Sequence, residues 1–175
     1  MSDRIFLVGP MGAGKSAVGR HLAQAIGLAF QDADTYLEER TGVDIAYIFE
    51  REGEPGFRKR ECQAIETLTQ HDNIVLATGG GAVMNSDNRR FLAARGTVVY
   101  LHASVEQQFQ RVSHATTRPL LQEADPQQIL TDLYRIRKPL YESIADLTVS
   151  TDGMRVPAVS NNIRDELRER RWIVA

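Results

Sequence analysis

The sequence predicts an α/β fold of three layers, with helices over both faces of a five-stranded parallel sheet. Three observations carry that prediction. Short runs rich in Val, Ile and Leu recur along the chain. Segments with helical periodicity or capping signals separate them. Glycine or aspartate clusters follow the first three runs, where a parallel sheet offers the carboxyl ends of its strands to a ligand.

The first strand covers residues 4–9. The first helix covers 15–26, where Val18, Leu22 and Ile26 recur at steps of four and Gly27 stands at the stop. Residues 28–32 make a short second strand ending in Asp32-Ala33-Asp34. A helix at 35–41 closes at Gly42. Two more, at 44–51 and 57–70, flank the turn-like Glu52-Gly53-Glu54-Pro55-Gly56. Residues 74–78 form the third strand and lead into Gly79-Gly80-Gly81. A helix at 87–95 ends at Gly96, and residues 98–101 form the fourth strand. Ser104, with Gln107 three residues on, reads as a capping box opening a helix to about 112. Residues 113–124 read as an exposed loop. Asp125-Pro126 starts the next helix, with Ile129, Leu133 and Ile136 as its apolar stripe and Pro139 as its stop or kink. Residues 147–150 are the fifth strand. The last helix, 157–171, carries Arg164, Arg168, Arg170 and Arg171 among glutamates as a solvated face.

The 175 residues, 42% hydrophobic and 25% charged, suit one domain with a full core, and no repeat or linker divides them. A net charge of −2 gives no general attraction to nucleic acid or to an anionic membrane. No apolar run approaches the roughly 18 residues of a membrane span. The first strand begins too early to leave room for a signal peptide. Cys62 is the only cysteine, so no internal disulfide forms and a reducing cytoplasm is the expected location. No long apolar patch calls for an obligate partner, so a monomer is expected.

The chemistry concentrates at Gly9-Pro10-Met11-Gly12-Ala13-Gly14-Lys15-Ser16, which matches G-x-x-x-x-G-K-[ST]. Glycines let the backbone turn its N–H groups onto phosphate oxygens, and the following helix points its positive end at them. Lys15 reaches the β and γ phosphates, and the Ser16 hydroxyl can ligate magnesium. A metal–nucleotide site also needs a carboxylate. The third and fourth strands end without one, so Asp32 is the nearest candidate, leaving Asp34, on the same side by strand alternation, to face a second substrate. Taken alone, the pair reads more simply as turn aspartates capping the next helix; the missing carboxylate elsewhere shifts that reading. The glycine triplet permits close approach to backbone. Arg118, held extended by Pro119, has the form of a lid arginine. Arg58 and Arg137 are candidate anion clamps. The four histidines have no metal-ligand spacing.

In these stretches the chain resembles the shikimate kinases. The resemblance rests on the phosphate loop, Asp32-Ala33-Asp34, Gly53-Glu54-Pro55-Gly56-Phe57-Arg58 with Glu61, and Ala77-Thr78-Gly79-Gly80-Gly81. It continues through Arg118-Pro119-Leu120-Leu121 and Arg137-Lys138-Pro139-Leu140-Tyr141. It implies a P-loop, nucleoside-monophosphate-kinase-like fold with a lid at about 112–124 and a helical substrate-binding region at about 33–61. It implies transfer of the ATP γ-phosphate to the 3-hydroxyl of shikimate, on the route to chorismate. Carried over, Gly12, Ala13, Gly14, Lys15, Ser16 and Ala17 hold ATP, and Ser16 binds Mg2+ with Asp32 nearby. Asp34 meets the attacking hydroxyl, giving the catalytic set Asp34, Lys15 and Arg118. Arg58, Gly80, Gly81 and Arg137 hold shikimate. Arg111 and the 152–157 segment, with Arg155, lie near adenine. Ala17 stands where many relatives have threonine; its backbone N–H does the binding there. Two other readings remain: a kinase of another small acid such as gluconate or a nucleotide, and a non-enzymatic nucleotide switch, although switch motifs such as Asn-Lys-x-Asp are absent.

Overall fold

A computed structural model describes residues 3–113 and 125–173. Five parallel strands form one sheet in the order β2-β3-β1-β4-β5. The strands are β1 (Arg4–Val8), β2 (Ala29–Asp32), β3 (Ile74–Ala77), β4 (Thr97–His102) and β5 (Leu147–Ser150). The helices are α1 (Lys15–Ile26), α2 (Ala33–Thr41), α3 (Ile45–Leu68), α4 (Ser86–Arg95), α5 (Val105–Val112), α6 (Pro126–Ile144) and α7 (Val156–Glu169). A 3-10 turn, Ala82–Met84, follows the glycine triplet. β1 lies at the centre, with Ile5 beside Val75 of β3 and Thr97 of β4. The strand order changes direction there, so the loop after β1 opens at the switch point.

Buried on both faces, the central strands send alternate residues to two cores. Ile5, Leu7, Val75, Val99 and Leu101 pack with Leu22 of α1 and Ile163 of α7. Phe6, Val8, Leu76, Val98 and Tyr100 pack with Ile65 of α3, Leu92 of α4 and Tyr141 of α6. Each such side chain contributes about 1.5–3 kcal/mol on burial. Gly19 lets α1 lie close to the sheet, since a Cβ there would stand 2.8 Å from the Phe30 ring. A smaller cluster of Leu37, Ile48, Phe57 and Ala64 ties α2 to α3.

Several local expectations need correction. The helices expected at 44–51 and 57–70 join into α3, broken only where Gly53 takes φ 69° and ψ −179°. Arg60 grips Glu52 across that break with two bonds of 2.8 and 2.6 Å. Pro139 does not stop α6, which continues to Ile144. Proline leaves the Arg135 carbonyl without its helical donor, and both residues are exposed to water that can replace it. The stripe 129/133/136 is also misplaced: Ile136 is 54% exposed, while Leu130, Arg137 and Tyr141 face inward. Ser104 accepts from the Gln107 N–H at 3.2 Å, but Gln107 does not reciprocate. The Ser104 N–H goes to Asp152 at 3.0 Å, and Gln107 Oε1 accepts from Gly153.

Candidate active site

The phosphate loop is shaped by backbone. Gly12 and Gly14 take φ 79° and 83°, where a Cβ is strained. Gly14 caps α1 without any side-chain bond, so the first-turn amides are left for an anion. The Lys15 ammonium donates to the Gly9 and Pro10 carbonyls at 2.7 and 2.8 Å. Gly12, Gly14, Lys15, Ser16 and Ala17 share the walls of a cleft of about 320 Å³ with Asp32, Asp34, Thr78, Gly79 and Gly80. An adjoining cavity of about 430 Å³ is bounded by Ala13, Gly14, Arg111, Thr151, Met154, Arg155 and Val156. Arg111 donates to Gly12 O at 2.7 Å and to Thr151 O at 2.8 Å, tying the phosphate loop to the segment after β5.

Asp32 caps the next helix and also faces the phosphate loop. Its Oδ1 caps α2, accepting from the Asp34 and Thr35 amides at 2.9 and 3.2 Å. Its Oδ2 accepts a hydrogen bond from the Ser16 hydroxyl. Two hard oxygens thus meet at the cleft wall, a donor set that fits Mg2+, which takes one or two protein oxygens and completes its shell with phosphate and water. Asp34 lies in the first turn of α2 rather than on the strand, so strand alternation does not govern it. Its Oδ1 is buried with no hydrogen-bond partner among the described residues. Burial, then the carboxylates of Asp32 and Glu61, push its pKa up to about 6, with Lys15 opposing.

The glycine triplet is crowded by charge. A Cβ on Gly79 would stand 2.8 Å from Glu61 Oε2 and 3.7 Å from Asp34 Oδ1. One on Gly80 would meet an Arg137 guanidinium nitrogen at 3.6 Å, and one on Gly81 would overlap the Arg58 guanidinium. Arg58 and Arg137 therefore converge on neighbouring glycines, beside the cleft that holds Lys15 and Asp34. Glu61 is only 1% exposed and accepts from Arg58 at 2.8 Å. Burial raises its pKa, with Arg58 acting in the opposite sense. Its Oε2 has no hydrogen-bond partner among the described residues. Tyr141 donates to Gly80 O at 2.6 Å. Glu61, Thr151 and Tyr141 are neighbours of the site that residue-by-residue reading left without a role. Two carry a helical signal, Glu61 three residues after Arg58 and Tyr141 four after Arg137. Arg118 lies outside the described residues.

Comparison with known proteins follows the same lines. The family model described as shikimate kinase matches residues 11–168. A shikimate kinase of Haemophilus influenzae (strain PittEE) is 57% identical over 162 residues, covering 92% of this chain and 90% of that relative. One of Vibrio campbellii is 55% identical over 166 residues, covering 95% of this chain and 96% of its own length. A solved structure, the shikimate kinase of Acinetobacter baumannii in complex with shikimate, matches with TM-score 0.94 at 46% identity, over 97% of this chain and 95% of that one.

Proposed function

Because the chain belongs to the shikimate kinase family and phosphorylates the 3-hydroxyl of shikimate with ATP and magnesium, we propose the following division of that work among its residues. The amides of residues 12–17 and the Lys15 ammonium hold the phosphates. Ser16 and Asp32 hold magnesium, which when bound neutralises charge on the phosphate oxygens. Arg111 and Arg155 border adenine. Arg58 and Arg137 take the shikimate carboxylate as guanidinium forks, with Gly80 and Gly81 as the bare backbone against which the ring rests. Asp34 orients the attacking hydroxyl and accepts its proton. Arg118 closes from a lid at about 112–124. The chain works as one domain with its acceptor region at about 33–61. It acts as a monomer in the cytoplasm, without nucleic acid or membrane. The net charge of −2 and the single cysteine support that setting. Among the described residues no helix is long and apolar enough to cross a membrane.

The transition state of phosphoryl transfer is loose and needs little covalent help, so placement and charge dominate. One observation carries the reading. Gly80 shares a cleft with Lys15 and Asp34 while its own flank meets Arg137. A small acid resting on the triplet faces a phosphate site on one side and guanidinium groups on the other. The test is ADP release by the wild type and Arg58→Ala with shikimate, gluconate, a nucleoside monophosphate and no acceptor. Shikimate-dependent release is expected, with the shikimate KM of Arg58→Ala raised about tenfold or more and the ATP KM unchanged. Equal increases in both KM values would overturn the clamp.

A further inference from the structure

We propose that Tyr141 is a positioning residue for the phosphoryl acceptor, acting through the peptide that joins Gly80 to Gly81. The inference rests on the reading that Gly80, Gly81 and Arg137 hold shikimate. Tyr141 is 1% exposed and donates its hydroxyl to Gly80 O at 2.6 Å. Gly79 O and Gly81 O accept from the Ala82 and Met84 amides of the turn that follows, both at 3.1 Å, and Gly80 O, between them, is held by the Tyr141 hydroxyl. The Gly80 C=O and the Gly81 N–H belong to one planar trans unit and point in opposite directions. Holding that oxygen toward α6 therefore aims the Gly81 N–H away from α6. Among the described residues, neither the Gly80 nor the Gly81 N–H donates to another backbone carbonyl. Among those residues neither donates to a side chain either, which leaves both open to a ligand.

Tyr141 is itself rigidly held. Its ring stacks on Tyr100 at 5.0 Å with 24° between planes. It lies four residues after Arg137 on the inward face of α6, so one helix surface presents both the guanidinium and the backbone anchor. Burial pushes the phenol pKa up to about 12, with Arg137 opposing, so the hydroxyl stays a donor throughout the neutral range. A purely structural tyrosine could place its hydroxyl against any carbonyl of the core. This one meets the backbone of the residue that also lines the phosphate cleft.

The experiment compares Tyr141→Phe, which keeps the ring and the stack, with Arg137→Ala, each assayed for both KM values, kcat and Tm. Loss of the hydroxyl, which bonds Gly80 O and also meets Arg137, predicts a shikimate KM raised about three- to tenfold in Tyr141→Phe. The ATP KM should stay within about twofold. An unchanged shikimate KM in Tyr141→Phe, with a raised one in Arg137→Ala, overturns the positioning role and leaves the substrate clamp standing. No change in either variant overturns the clamp and the positioning role together. Equal rises in both KM values of Tyr141→Phe, with a lowered Tm, would mark Tyr141 as structural and also overturn the proposal. If Tyr141→Phe proves too unstable to assay, Tyr141→His, which keeps a ring donor, should retain a shikimate KM closer to wild type than Tyr141→Leu; equal KM values in those two would sink the idea.

Discussion

The two ends of the cleft are built differently. The phosphate site is one contiguous loop whose groups are mostly backbone, with Gly14 making no side-chain cap on α1. The proposed acceptor end is assembled from α2, α3, the glycine triplet and α6, and its groups are charged side chains at close quarters. Asp34 and Glu61 each keep a buried oxygen without a partner among the described residues, both close to Gly79, while Arg137 and Arg58 crowd the next two glycines. Backbone amides bind any phosphate presented at the right height. An array of buried charges is costly without its complement, so the acceptor end is where strain and selectivity should reside.

That contrast sets the expected effects. Asp34→Asn should lower kcat by at least about a hundredfold, the usual range for a positioned proton acceptor, with both KM values little changed. The wild-type kcat/KM for shikimate should fall as pH drops through about 6, where Asp34 takes up its proton. A flat profile from pH 5 to 8 would reject Asp34 as the base. Gly81→Ala comes next. Its Cβ displaces the Arg58 guanidinium, so the shikimate KM should rise about tenfold and the ATP KM should not. If the ATP KM rises equally, the two ends are not separable.

The smallest effect is on stability, and its sign opposes the loss of turnover. The folded pKa of Asp34 is raised from 3.8 to about 6. Its contribution to stability is therefore present below pH 3.8 and lost as pH rises through 6. At pH 8 the ionised carboxyl costs about 1–3 kcal/mol. A carboxamide in its place does not ionise, so Asp34→Asn should melt a few degrees above wild type at pH 8 and converge with it below about pH 4. A lower Tm at pH 8 would show that Asp34 stabilises the fold as a charge.

Legibility followed the same division. The phosphate loop could be read because its residues are adjacent and its geometry needs glycine at particular places. Asp32 was harder, since capping a helix and meeting Ser16 call for the same residue, and only coordinates show one oxygen doing each. On α6 the apolar residues misled. The inward face includes Arg137 and Tyr141, polar groups that a hydrophobic stripe omits, while Ile136 is exposed. Glu61 was legible beside the Gly53–Arg58 stretch but without a role. Its burial follows from tertiary packing, which local pattern does not encode.

The central claim is that the two ends are chemically independent, each with its own arginines. Calorimetric titration of shikimate and of ADP into Arg137→Ala and Arg111→Ala tests it directly. The account predicts a crossed result: Arg137→Ala loses about tenfold or more in shikimate affinity and keeps ADP, while Arg111→Ala loses a few-fold in ADP affinity and keeps shikimate. Parallel loss of both ligands in both variants would contradict it.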